Sequence, residues 1–488
     1  MNCVKMMRGI VVGMMLALAM CVQAQDWLKL TGAKRFPESG RVYCVNDYGA
    51  FQGKVIASTA AIQKAIDVCS ANGGGKVTFL PGVYHTGAIY LKSNVNFEIA
   101  EGVELRALMD VKYYPEILTR VAGIEMMWPC GVINVLDQEN VAITGKGTLH
   151  AQGKVHWEHY WNLREAYTPM GLRWASDYDS KRVRTLEVAN SRHVTISGIT
   201  IKQAGFWTVH VMYCHNVTVD GVIIRNNIDG KGPSTDGVDI DSSSYVEVMN
   251  CDIDCNDDNY CVKAGRDADG LRVNRPSEYI WFHDNIARAG GGVLVIGSET
   301  SGWIRHVRAE RMKAYGSGNV LHLKSAMTRG GGAEDITVID CQADGVRNLL
   351  HVTLNWNPSY SYAQLPADMT EMPEHWKVMT QPVPDGKGIA RFSNITLENC
   401  TAINVYGTAF DVEGLEVSPI TDVTVRNVDV QAAVTGQLKH VSNWKLENIK
   451  ITTPKGERLM VENDKKVTLK QVTYHAGGDN LIVRSDSK

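Results

Sequence analysis

The chain has 488 residues, with 53 acidic against 50 basic side chains and a formal net charge of −3. That near balance gives no general attraction for a polyanion, so a nucleic-acid partner is not expected. Of eleven cysteines, nine come after residue 21; the odd number and the lack of a CxxC pair argue against a disulfide framework and a zinc ribbon.

At the N-terminus, Lys5 and Arg8 precede an apolar run from Gly9 to Val22, closed by Val22-Gln23-Ala24. A basic start, a short apolar core and a small-residue cleavage motif describe a secretory signal peptide over residues 1–24, which places the mature protein in the periplasm or outside the cell. Cys21 offers a lipoprotein alternative, but Met20 before it suits lipidation poorly. No later apolar run reaches the ~18 residues that a membrane span requires. Next comes STAAIQKAIDVCSANGGG, Ser58 to Gly75. Ser58 as N-cap, apolar residues at Ile62, Ala65, Ile66 and Cys69, and closing glycines predict a short amphipathic helix. It is expected to cap the first coil of a repeat that fills most of the remaining chain.

That repeat is short. VTISGITI from Val194 returns as VTVDGVII from Val217, VEVMNCDI from Val246, IWFHDNIA from Ile280 and ITVIDCQA from Ile336. Later copies are ITLENCTA from Ile395, VTVRNVDV from Val423 and VTLKQVTY from Val467. Period-two β-branched residues, a small polar turn residue and a second short strand describe one coil of a parallel β-helix, with spacings such as 194 to 217 and 280 to 304 as single coils. Residues 25–488 are therefore read as one all-β solenoid domain, not three globular ones. Cys251, Cys341 and Cys400 share one slot of the repeat and read as an internal stack of small apolar side chains. Two segments break the rhythm: 150–184, with Trp157, Trp161 and Trp174, and 355–388, with WNPSYSY and several prolines. Long aromatic insertions on a solenoid are expected to form a binding surface, the plainer alternative being that they pack down on the coils.

Within the repeat, DCNDDNYCVKAG sets Asp257 beside Asp258, where two carboxylates repel and lose solvation. Asp236, in STDGVDID, lies 21 positions before Asp257, about one coil. Three carboxylates are thus expected on one patch, with AGGGVLVIGSE approaching it and His322 and Lys324 of GNVLHLKS on one strand face. Coil-corner turns are the bland reading of such aspartates. A calcium loop starting at Asp252, Asp254 and Asn256 fails, because Asp257 stands where glycine is required and Lys263 where glutamate is.

The order STD, DD with a following lysine and glycine, GGG…IGSE and HLK, together with NDYGAF, FLPGVYHTGAIYLKSNV and GFWTVHVMYC, resembles the polygalacturonase family of glycoside hydrolases, family 28. The resemblance implies a right-handed parallel β-helix that hydrolyses galacturonate linkages in pectin with inversion, without cofactor or metal. By its motif Asp257 resembles the general acid, Asp236 and Asp258 the pair that holds the attacking water, and Lys324 a ligand of a substrate carboxylate. The matching segments also mark Lys263, Trp207, His210 and His322 as expected substrate-binding residues. An inverting glycosidase needs an acid and a base with room for water between them, and crowding keeps one carboxyl protonated. The sequence departs from the family in three places: Ser234 replaces an asparagine, Gly291 or Gly292 a histidine, and His322 an arginine. These departures favour a related pectic linkage, such as one in rhamnogalacturonan, over an ordinary homogalacturonan endo-enzyme, and GFWTVHVMYC and GSETSG lean towards exo-acting members. A monomer is expected. Two other classes compete: a β-helix lyase, betrayed by an unsaturated, ultraviolet-absorbing product, and a non-catalytic glycan-binding solenoid, which would have no reason to keep three aspartates at this spacing.

Overall fold

The repeated phrase becomes one column of a parallel ladder. Val194 pairs with Val217, Val217 with Val246, and Val246 with Ile280, and the column runs on through Val307, Ile336, Ile395, Val423, Trp444 and Val467. The structure, a computed structural model, describes residues 26–38, 40–53, 57–366 and 371–477. The expected signal peptide lies outside the described residues. The partner of Ile280 is Val307, not Ile304, which instead faces Ser277. Ile304 opens the strand Ile304–Glu310 that also holds Val307, so the coil is three residues longer than the 280-to-304 spacing. Val307 and Trp444 are rungs that the repeated phrase does not announce, the first because Arg311 takes the small polar turn slot, the second because tryptophan takes the β-branched place.

Each coil carries three short strands, and successive coils stack about 4.8 Å apart into three parallel faces that together join 33 strands in one hydrogen-bonded network among the described residues. Alternate residues point inward. Val194 and Ile196 on the first face, Ile201 on the second, and Val209 and Val211 on the third are completely buried in one continuous core. The residue before each phrase takes the left-handed backbone region, as at Asn216 (φ 58°), Asp335 (57°), Asn394 (54°) and Asp422 (57°), a conformation that asparagine and aspartate tolerate better than other non-glycine residues. The polar turn slot forms its own ladder: Asn399 donates to Asp340 at 2.9 Å, Asn427 to Asn399 at 2.9 Å and Asn448 to Asn427 at 2.9 Å. Cys251, Cys341 and Cys400 are buried free thiols in the core.

The covering helix spans Thr59–Ala71 and buries Ile62, Ala65, Ile66 and Cys69 against the first coil. Ser58 precedes it but makes no side-chain cap; its hydroxyl accepts from the Phe51 N–H at 3.3 Å instead. No helix of the described residues is long and apolar enough to cross a membrane.

The two insertions are not irregular. The first holds a helix at Lys154–Tyr167 and a short one at Ser176–Asp179; the second holds Pro358–Ser361 and Glu374–Met379. Trp157 and Tyr160, one helical turn apart, give the first helix its buried face. The insertions meet each other over a second apolar cluster, where Trp174 and Trp376 pack edge-on with ring centroids 5.0 Å apart. An antiparallel hairpin, Glu116–Val121 with Ile124–Pro129, completes that cluster. Its two-residue turn, Ala122 (φ 42°) and Gly123 (φ 87°), is positive in φ at both positions, the geometry that suits a tight hairpin, but Ala-Gly is not the sequence that usually announces it. Trp157 and Trp174 serve packing: their indole N–H groups donate to the carbonyls of Ala204 at 3.0 Å and Gln364 at 3.1 Å.

Candidate active site

A cleft opens on the third face where the solenoid meets the insertions. The solenoid supplies Asp236, Asp257, Asp258, Lys263, Glu299 and Lys324. It also supplies Trp207 and Ser234, and the insertions bring Arg173, Asp177, Trp356 and Tyr360.

Register explains the carboxylates. The strands Val238–Asp241 and Tyr260–Lys263 pair Val238 with Tyr260. Asp236 therefore lies level with Asp258, and the Gly237 N–H donates to the Asp258 carbonyl at 2.9 Å. An offset of 22, not 21, links the rungs, and Asp257 sits one residue upstream of the pair. Carboxylate oxygens of Asp236 and Asp258 and the Cys261 sulfur all lie within 4.8 Å of one another. Two oxygens at that span can each hydrogen-bond one intervening water.

Two lysines hold the cluster together. Lys324 Nζ is 2.8 Å from Asp258 Oδ2. Lys263 Nζ lies between Asp236 Oδ2 at 3.4 Å, Asp239 Oδ1 at 3.5 Å and Glu299 Oε2 at 3.7 Å, with its charge 4.8 Å from the Trp207 ring centroid. Burial, then the charge of Asp258, pushes Asp257 from 3.8 up to about 6. Burial, then Asp257 and Asp239, pushes Asp236 well up. Asp239 rises to about 7, mainly through burial, with Lys263 opposing and Asp258 and Asp257 adding. Burial would raise Glu299 as well, but Lys263, Arg329 and Lys324 together hold it below its ordinary value. The cluster therefore keeps protons near neutral pH that isolated aspartates would have lost.

Of the eight residues marked in the sequence, six line this cleft: Asp236, Asp257, Asp258, Lys263, Lys324 and Trp207. The other two do not. His210 is fully buried, edge-on to Trp207 with centroids 4.8 Å apart and 3.4 Å from Asp241 Oδ2. His322 stacks on His351 at 4.5 Å, and neither ring nitrogen has a partner. Burial, then Lys324, depresses its pKa far below 6.5, so it is neutral where the family's arginine would be charged. Ser234 donates to Asp177 Oδ1 at 2.9 Å. Gly291 admits no side chain without displacement: a Cβ there would lie 2.8 Å from Asp258 Oδ1. Asp252, the would-be start of a calcium loop, is held by Arg288 through two contacts of 2.6 Å.

Sequence reasoning missed Asp239, Glu299, Arg173, Asp177, Trp356 and Tyr360. Asp239 had a signal, since DGVDID alternates and puts Asp239 and Asp241 on the outward face. The wall residues lie in the two segments expected to form a binding surface, Trp356 and Tyr360 within WNPSYSY and Arg173 and Asp177 within 150–184, but insertions carry no register that would single them out.

A solenoid with a buried carboxyl cluster at a cleft, flanked by lysines and aromatic rings, has the paired carboxyls that acid–base cleavage of glycosidic bonds requires. The family model for glycosyl hydrolases family 28 matches residues 116–364, just over half of the chain, and the chain belongs to that family; it is a glycoside hydrolase. A probable polygalacturonase from Vitis vinifera is 26% identical over 397 residues, covering 79% of this chain and 74% of that one. An exo-poly-alpha-D-galacturonosidase from Dickeya chrysanthemi is 24% identical, covering 77% of this chain and 64% of that one. The crystal structure of a hyperthermoactive exopolygalacturonase from Thermotoga maritima superposes with a TM-score of 0.72 at 27% identity, covering 88% of this chain and 95% of that one.

Proposed function

We propose that the protein is a secreted, single-domain inverting hydrolase of galacturonate-containing linkages in pectic polysaccharide, acting at chain ends. The observation that carries the reading is the buried Asp236–Asp257–Asp258 cluster in a cleft that also holds Lys263 and Lys324. Asp257, raised to about 6, is the general acid that protonates the leaving oxygen. Asp258, its carboxylate steadied by Lys324, takes a proton from water, and Asp236 holds that water from the neighbouring rung. The water attacks the anomeric carbon from the face opposite the leaving group, and configuration inverts.

End-trimming is supported by the wall. A β-helix face is an open trough through which a polymer can lie, whereas here Trp356 and Tyr360 from one insertion and Arg173 and Asp177 from the other close around the carboxylates. Relatives named as exo-acting enzymes support the same choice.

The test combines product length and anomer with one variant. Galacturonan and rhamnogalacturonan oligomers are digested and products followed by chromatography, viscosity and proton NMR. Mono- or disaccharide from the first minutes, slow viscosity loss and an inverted first anomer are expected, and Asp257→Asn removes turnover by at least ~10²-fold with binding retained. A retained anomer, or substantial turnover by that variant, overturns the chemistry; an early viscosity collapse overturns only the end-trimming.

A further inference from the structure

An acidic sugar that enters a cleft already holding three catalytic carboxyls is repelled unless a cation answers its charge. Three cations line the cleft: Lys263, Lys324 and Arg173. The two lysines are already matched by protein carboxylates, Lys324 by Asp258 and Lys263 by Asp236, Asp239 and Glu299. Arg173 differs. Its Nη1 donates to Asp177 Oδ2 at 2.9 Å, but the same carboxylate also receives Arg182 Nη2 at 3.0 Å and the Ser234 hydroxyl at 2.9 Å. Two guanidinium groups thus share one carboxylate, and a unit of positive charge is left over. Arg182 is fully buried, lies 4.3 Å from the ring centroids of both Tyr160 and Phe206, and donates to the Pro233 carbonyl at 2.7 Å. The surplus therefore reaches the cleft through Arg173, which lines it and is 12% exposed where Arg182 is fully buried; its Nε is buried without a hydrogen-bond partner, and its guanidinium sits 5.2 Å from the Tyr360 ring centroid.

We infer that Arg173, carried on the 150–184 insertion, is the specificity residue that receives the sugar carboxylate. This deepens the proposed function and rests on it. The position fits the departure at residue 322: the solenoid strand offers a buried neutral imidazole in place of an arginine, and the planar fork that a carboxylate prefers comes from the facing insertion. Asp177 acts as its positioning residue, holding one edge of the guanidinium and leaving the other edge towards the cleft.

The test uses free galacturonate and its methyl ester as inhibitors of galacturonan hydrolysis, so that no turnover of the ester is required. Arg173→Gln should raise the inhibition constant of galacturonate roughly 10- to 100-fold, the size expected on losing a charge-assisted hydrogen bond, and change that of the ester little. On galacturonan, KM should rise more than kcat falls. Arg173→Lys keeps the charge and the Asp177 pair, and should recover part of the discrimination; it carries the test alone if Arg173→Gln does not fold. Equal losses on acid and ester, unchanged discrimination, or a wild-type protein that binds both alike overturns the assignment. A wild-type protein that hydrolyses no galacturonate linkage overturns the proposed function, and this inference with it.

Discussion

Asp239→Asn isolates a buried charge that the fold pays to keep. Asp239 sits in the middle of Val238–Asp241, level with His210 and Cys261 on the neighbouring rungs. It is fully buried, and neither carboxylate oxygen has a hydrogen-bond partner. Its nearest cation, Lys263 at 3.5 Å, is shared with two other carboxylates. Burial dominates, so the pKa climbs from 3.8 to about 7. Between those two pH values the folded protein keeps a proton that the unfolded chain has released, so stability falls as pH rises through the window. At 1.36 kcal/mol per tenfold change in proton affinity, the full loss above pH 7 is about 4 kcal/mol. Asparagine keeps the volume and removes the charge. The stability of the variant relative to wild type should therefore be near zero at pH 4 and rise by up to ~4 kcal/mol above pH 7. With an unfolding entropy of ~2.1 cal/mol/K per residue, that is roughly 4 °C in Tm for a chain of this length. Melting curves of both proteins from pH 4 to 8 read the difference directly. A variant that loses stability relative to wild type as pH rises would mean that the Asp239–Lys263 pair is worth more than the burial it demands, and the reasoning would fail.

Two further predictions concern the same cluster. Lys324 lowers the pKa of Asp257 and is the partner of Asp258. Lys324→Met should move the alkaline limb of the kcat/KM profile, governed by a protonated Asp257, to higher pH than its position near 6, while the maximal rate falls; a limb that stays in place or moves down refutes the coupling. Gly291→Ala places a Cβ 2.8 Å from Asp258 Oδ1, which must push the carboxylate aside. Misplacement of a reacting group by a fraction of an ångström costs on the order of 10-fold in rate, so kcat should fall with little change in Tm. Full activity in Gly291→Ala would show that Asp258 has slack it is not expected to have.

How much of this was legible depended on register. The phrase from Val194 to Val467 repeats because every coil must present the same inward pair of apolar residues, and a one-residue slip would turn each strand inside out. That constraint made the solenoid readable, and it carried the clustered aspartates as well, because residues at equal places in successive coils are neighbours by construction. The 280-to-304 spacing failed for a related reason: extra residues between strands do not disturb the inward pattern, so coil length is loosely written even where coil identity is not. The hairpin at 116–129 and the helices of the two insertions obey no such repeat. Their packing is decided by contacts between segments some 200 residues apart in sequence, as when Trp174 meets Trp376, and neither segment alone records its partner. His210 and His322 were marked because they fall in motif segments, yet outward-facing positions on this face can still be buried, His210 beneath Trp207 and His322 against His351.

The two parts of the cleft are therefore constrained differently. The spacing between Asp236 and Asp258 is set by ladder hydrogen bonds, such as Gly237 N–H to the Asp258 carbonyl, and cannot drift without unstacking two coils. The opposite wall hangs on buried arginines: Arg266 donates to Tyr178 Oη at 2.8 Å and to the carbonyls of Tyr360 and Ser361 at 2.9 and 3.0 Å, tying both insertions to the solenoid through one guanidinium. Tyr178 in turn donates to the Ala122 carbonyl at 2.9 Å, which adds the hairpin. That wall can change its inner residues without disturbing the ladder that holds the carboxyl cluster. In the proposed function, chemistry belongs to the rungs and substrate choice to the insertions, an arrangement in which the cleft can dispense with a charged side chain at residue 322.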